Sequence, residues 1–186
     1  MQKPQANNSL GVIYEREHFV QFYPRDEMLI NNLRTYIGAG LKAGDSCIVI
    51  CTAAHRQMLE DLLRSGGYLT ADTESYVCID ADELLARFVS NGKVDRDAFR
   101  RVIGALLAES RSEGKQVRAF GEMVAQLWIN GFEAAAMRLE TLWNEIASEY
   151  QLTLFCAYPM HSFDCSDNFH ATTEELRSLH SSIITA

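Results

Sequence analysis

Cys47-Ile48-Val49-Ile50-Cys51-Thr52 decides the fold class. Its first five residues are apolar without the alternation of a half-exposed strand, which marks a strand covered on both faces, as in a parallel sheet. Thr52 begins the exit. Ala53 to Ser65 then predicts a helix with Met58, Leu59, Leu62 and Leu63 turned inward and Gly66-Gly67 ending it. Upstream, Met28, Leu29, Leu33, Tyr36, Ile37 and Leu41 recur at three- and four-residue spacing, so Glu27 to Leu41 reads as a helix with one buried face. Before it, His18-Phe19-Val20-Gln21-Phe22-Tyr23 is a strand, broken at Pro24 and followed by Asp26 and Glu27, carboxylates suited to a helix N-terminus.

The alternation continues to the end of the chain. Tyr76-Val77-Cys78-Ile79, Gln116 to Phe120 and Leu152 to Tyr158 read as strands. Helical segments run from Asp82 to Val89, from Asp95 to near Gly114, after Glu122, from Glu133 to Tyr150, and from Thr172 to near His180, with a turn at Asn91-Gly92. Connections too long for hairpins imply right-handed crossovers and a mainly parallel sheet of about five or more strands, a three-layer α/β architecture. Residues 1–17 are polar and aperiodic and read as a flexible N-terminal arm, leaving 18–186 as a single domain.

Composition narrows the function. A chain of 186 residues with 47% apolar and 23% charged residues can build one real core. Its net charge of -8, with basic residues scattered, opposes direct binding to nucleic acid or to an anionic membrane. No stretch is apolar enough to span a bilayer or to act as a secretion signal, so the expected location is cytoplasmic. The five cysteines are odd in number and lack C-x-x-C spacing, which suggests neither a disulfide framework nor a metal site. Most sit in apolar runs as small buried groups, whereas Cys165 lies in a polar stretch that leaves a reactive thiol open. His18, His161, His170 and His180 show no metal-ligand spacing and are expected at the surface or at caps.

In an open parallel sheet, ligands sit beyond the carboxyl ends of the strands. The residues expected there include Tyr23, Arg25, Thr52, His55, Asp80, Glu122, Tyr158 and His161. No phosphate loop G-x-x-x-x-G-K-[ST] is present, and Pro24 with Asp26 and Glu27 opposes phosphate after the first strand. No bound cofactor is expected. Arg118, inside a strand, needs a carboxylate or an anionic ligand, and Glu122, Glu140 and Asp80 are the candidate partners. Cys51 with His55 is a conceivable thiolate pair, although Cys51 continues an apolar strand. Trp128, Trp143, Phe120, Phe155 and Tyr158 supply aromatic lining, with Trp143 placed in a core face by its periodicity with Leu139, Leu142 and Ile146. The candidate ligand-binding set is therefore Tyr23, Arg118, Glu122, Trp128 and Tyr158.

Four segments resemble the signature blocks of the MEDS family, the methanogen/methylotroph sensory domain: His18 to Tyr23, Arg118-Ala119-Phe120-Gly121-Glu122-Met123-Val124, Leu139 to Asn144, and Cys156-Ala157-Tyr158-Pro159. The matching positions are His18, Phe19, Tyr23, Arg118, Gly121, Glu122, Glu140, Trp143, Cys156, Tyr158 and Pro159. The resemblance implies a sensory module of the kind found beside transcription-regulatory or histidine-kinase parts and responsive to small hydrocarbon derivatives. It also implies a RecA-like fold, kin to clock-protein ATPase domains, without the phosphate loop. The chain leaves no room for a helix-turn-helix or kinase domain, so output is expected through a signalling or regulatory protein partner or through a homo-oligomer. The leading expectation is a stand-alone, non-enzymatic sensor that binds a small ligand. A ligand-free protein–protein interaction module and an enzyme using Glu122 or Cys51 with His55 are the alternatives.

Overall fold

The structure, a computed structural model, describes residues 17–110, 115–163 and 169–184. Its elements run β1 (His18–Tyr23), α1 (Asp26–Ala43), β2 (Ser46–Cys51), α2 (Ala53–Ser65), β3 (Tyr76–Asp80), α3 (Ala81–Leu85), β4 (Val89–Ser90), β5 (Lys93–Val94), α4 (Arg96–Ser110), β6 (Val117–Gly121), α5 (Met123–Ile129), α6 (Glu133–Tyr150), β7 (Thr153–Pro159), α7 (Phe169–Ser178) and β8 (Ser182–Ile184). Six strands form one parallel sheet in the order β3-β2-β6-β7-β1-β8. The three-layer α/β expectation holds.

Strand β2 is buried at all six positions, as its unbroken apolar run demands. Alternate residues feed two cores. Cys47, Val49 and Cys51 join Leu29, Leu33, Ile37, Leu59 and Leu63 of α1 and α2. Ile48 and Ile50 join the opposite core, where Phe99, Leu139, Leu142, Trp143 and Ile146 from α4 and α6 pack beside Leu176 of α7. At roughly 1.5–3 kcal/mol for each large side chain removed from water, these two layers dominate the favourable side of folding.

Several boundaries differ from the sequence reading. Helix α3 stops at Leu85, and the chain turns into an antiparallel hairpin, Val89–Ser90 against Lys93–Val94. Its two-residue turn, Asn91-Gly92, has φ of 50° and 68°, the left-handed geometry that this dipeptide favours. Strand β8 carries no signal beyond Ile183-Ile184, and it becomes a strand by pairing parallel with Phe19, Val20 and Gln21 of β1. The arm at 1–17, apart from Glu17, lies outside the described residues, as do Cys165 and the side chain of His170. No helix among the described residues is long and apolar enough to cross a membrane.

Candidate functional site

Sheet order and strand alternation together sort the polar residues into three places. The first is the amino end of β6. Arg118 points toward α1, and its Nε donates to Asp45 Oδ2 at 2.6 Å while its guanidinium lies over the Tyr36 ring at 5.6 Å. Gly40 makes room for it, since a Cβ there would lie 2.6 Å from Arg118 Cδ. The partner of Arg118 is therefore Asp45, and none of Glu122, Glu140 or Asp80. Asp80 instead caps α3, accepting from the amides of Asp82 and Glu83 at 3.0 Å each.

The second place is the carboxyl edge. Glu122, just past β6, accepts from the Thr52 amide at 2.9 Å and sets its other oxygen 2.8 Å from His55 Nδ1. Asp26 approaches the far side of the imidazole at 3.5 Å, and the Tyr23 ring meets it edge-on. Burial disfavours the charged imidazole, but Glu122 and Asp26 outweigh it and raise the His55 pKa. Burial, with Glu122 and Asp26 nearby, pushes the Tyr23 hydroxyl up. His55 is thus engaged by carboxylates, while the Cys51 thiol lies 3.9 Å from that of Cys78.

The third place lies between the sheet and α6, on the opposite face. His18 and Cys156 project from adjacent strands, because His18 pairs with Leu154 and Val20 with Cys156. Glu140 reaches up from α6, and His180 arrives just ahead of β8. All four are buried, and each offers a ligand atom within 4.8 Å of the others. His18 Nε2 lies 3.2 Å from Cys156 Sγ and 3.4 Å from Glu140 Oε2, and His180 Nε2 lies 3.4 Å from the same oxygen. Tyr158 donates its hydroxyl to Glu140 Oε1 at 2.7 Å.

The outer contacts orient both imidazoles. Asn144 Nδ2 donates to the Leu179 carbonyl at 2.8 Å, which turns its Oδ1 toward His18 Nδ1, also at 2.8 Å. Because that oxygen only accepts, the His18 proton sits on Nδ1 and the Nε2 lone pair faces inward. His180 Nδ1 likewise donates to the Leu176 carbonyl at 2.6 Å. Burial lowers the His18 pKa to about 4 in spite of the opposing pull of Glu140. Burial alone would raise Glu140, yet His180 and His18 bring its pKa below the usual carboxylate value. Burial, reinforced by Glu140, drives the Cys156 thiol and the Tyr158 hydroxyl upward.

Beside this centre a cavity of about 600 Å³ opens to solvent, with His18 and His180 at its floor and Asn144, Ser148, Gln151 and Ser181 on its walls. It lies at the amino edge of the sheet, where β1, β7 and β8 begin. A match to the family described as "MEDS: MEthanogen/methylotroph, DcmR Sensory domain" covers residues 17–181. The chain belongs to the MEDS family. No curated protein aligns significantly with it. MEDS domains are sensory, and so is the role of this chain. The family match ends at residue 181, so it takes in His18, Glu140, Cys156, Tyr158 and His180 together.

The candidate residues taken from sequence do not form one pocket. Tyr23 and Glu122 meet at the carboxyl edge, Arg118 stays with Asp45, and Tyr158 belongs to the buried centre. Trp128 packs edge-on against Tyr158 and beside Phe163. Trp143 is a core residue, meeting Phe99 edge-on. His18 and His180, expected at the surface or at caps, are both buried. His161 is exposed, as expected.

Proposed function

We propose that this MEDS domain is a non-enzymatic sensor that reads a small ligand at the amino-edge cavity and relays occupancy through its C-terminal segment to a protein partner. The observation that carries this reading is the shared wall. His18 and Asn144 come from the body of the domain, whereas His180 and Ser181 come from the segment holding α7 and β8. Among the described residues, the β1–β8 pairing, the His180–Glu140 contact and a small set of hydrogen bonds hold that segment to the body. The Ser181 amide donates to the His18 carbonyl at 2.7 Å, the Ser181 hydroxyl bridges both main-chain groups of His18, and Asn144 holds the Leu179 carbonyl. A ligand touching both sides of the wall favours the docked arrangement by its differential affinity, the physical requirement for a relay.

The lining favours a small guest with an oxygen or other polar group, such as an oxygenated hydrocarbon derivative. Absence of the phosphate-loop pattern supports a guest other than a nucleoside triphosphate. Net charge of -8 supports output through a protein, in the cytoplasm, with transcription control as an indirect consequence. The test is a thermal-shift screen of small alcohols, carboxylates, halogenated hydrocarbons and nucleotides, paired with hydrogen exchange across residues 169–184. A true ligand raises the melting point by mass action and slows exchange in that segment. Ser148→Trp, an exposed position on the cavity wall, abolishes both effects while the chain stays folded. Stabilisation by no compound, or stabilisation that survives Ser148→Trp, refutes the reading.

A further inference from the structure

We propose that His18 Nε2, Glu140 Oε2, Cys156 Sγ and His180 Nε2 bind a zinc-class divalent metal ion, which ties the C-terminal segment to the body of the domain. The inference concerns the site at the floor of the proposed sensory cavity and names a second occupant for it.

Distances carry the case. A tetrahedral ion with nitrogen and oxygen ligands near 2.05 Å and sulfur near 2.3 Å sets its ligands about 3.3–3.6 Å apart. The separations here are 3.4 Å, 3.4 Å and 3.2 Å. The widest pair, at no more than 4.8 Å, closes by roughly 1 Å to reach that geometry. A water molecule hydrogen-bonded to the same four atoms at about 2.8 Å needs them about 4.6 Å apart, so three of the edges are too short for water. The two nitrogen–oxygen edges fit a metal, and the 3.2 Å edge, now that of a thiol–imidazole hydrogen bond, lengthens by roughly 0.3 Å when the thiol proton leaves.

Hydrogen bonding points the same way. Glu140 Oε2 and His180 Nε2 are buried and face each other at 3.4 Å, and no hydrogen bond of ordinary geometry reaches either atom among the described residues. The electron pair of His18 Nε2 faces that carboxylate oxygen at 3.4 Å. A cation at the centre meets all of these groups at once. Both imidazoles donate Nδ1–H to an oxygen, and Tyr158 occupies the second carboxylate oxygen, which is the outer-shell arrangement that orients metal ligands. Two neutral imidazoles, one thiolate and one carboxylate neutralise a divalent ion, so the filled site buries no net charge. On binding, the thiol proton of Cys156 and any proton on His180 leave to solvent by way of the cavity. His180 is the ligand that the C-terminal segment contributes.

The test uses the full chain, purified without a metal-affinity step, stripped with a chelator and titrated with Co²⁺ under reducing, oxygen-free conditions. One equivalent of Co²⁺ is expected to give the visible ligand-field bands of a tetrahedral site and a near-ultraviolet thiolate-to-cobalt band, both erased by excess Zn²⁺. Cys156→Ala removes the thiolate band. His180→Gln, on the cavity side, weakens binding at least about tenfold and leaves residues 169–184 exchanging as fast as in the stripped chain. The expected Co²⁺ spectrum from the wild-type chain is itself a test should Cys156→Ala fail to fold. Absence of a stoichiometric spectrum, or a thiolate band that persists in folded Cys156→Ala, overturns the proposal. A chain that gives no stoichiometric Co²⁺ spectrum yet still responds to a small ligand refutes the metal alone, whereas stoichiometric metal with no responding compound refutes the small-ligand reading alone.

Discussion

Replacing Tyr158 by Phe removes one oxygen atom and nothing else, so its effect isolates the hydrogen bond to Glu140. The hydroxyl sits 2.7 Å from Oε1, and both side chains are fully buried. Glu140 accepts this bond as a carboxylate, since its pKa is held low by His180 and His18 against the cost of burial. A hydrogen bond to a charged group contributes about 1.5–3 kcal/mol, and the deletion leaves a buried oxygen without water to replace the lost donor. For a domain of this size, each kcal/mol moves the melting temperature by about 2–4 °C, so the expected fall is about 3–12 °C. Tyr36→Phe is the matched comparison. Its hydroxyl donates to the neutral Thr153 carbonyl at 3.0 Å, a bond that contributes about 0.5–1.5 kcal/mol. Urea unfolding of both variants in one chelator-containing buffer should show a larger loss for Tyr158→Phe at unchanged m. Equal losses, or a Tyr158→Phe cost below about 0.5 kcal/mol, would refute the idea that an ionised Glu140 is held here by that hydroxyl.

Other outcomes follow from the remaining contacts. The raised pKa of His55 means that the folded chain holds a proton the unfolded chain releases near pH 6.5. Its stabilisation is therefore full below about pH 6.5 and is lost as pH rises through the folded value, and His55→Gln should flatten that part of a stability–pH profile measured by urea unfolding. Gly40→Ala places a Cβ 2.6 Å from Arg118 Cδ and 2.9 Å from Cys47 Sγ, and the overpacking should cost about 1–3 kcal/mol by the same assay. Asp45→Ala strands a largely buried guanidinium and should cost about 3–5 kcal/mol. The double variant with Arg118→Ala should recover part of that loss in a mutant cycle. Leu176→Ala, at a fully buried position of α7, should speed hydrogen exchange in residues 169–184 more than elsewhere.

The layers were legible in the sequence because each is written in a local period. β2 announces itself by five unbroken apolar residues, and α6 by Leu139, Leu142, Trp143 and Ile146, whatever the rest of the chain does. Strand β8 was not legible, since three residues become a strand only when β1 offers an unpaired edge. Glu122 and Tyr23 lie at the same edge because each ends or follows a strand of the parallel sheet, which is a local signal. The pairing of His55 with Glu122 rather than with Cys51 depends on which strands are neighbours, and β2 lies next to β6.

The buried centre is the extreme case of the same limit. Metal motifs are legible when two ligands share a helix turn or a hairpin, so that a fixed spacing records their geometry. Here the four proposed ligands come from β1, α6, β7 and the turn between α7 and β8, at positions 18, 140, 156 and 180. What brings them together is the sheet order, which seats the first strand between β7 and β8, and the crossing of α6 beneath that junction. The local trace that was present is the polar or ionisable character of single residues in otherwise apolar runs: His18 at the head of a β-prone strand, Glu140 on the apolar face of α6, Cys156 in β7. A buried polar side chain must find a partner. His18, Glu140 and Cys156 are three such residues from unrelated segments, and only the sheet order shows that they are partners for one another.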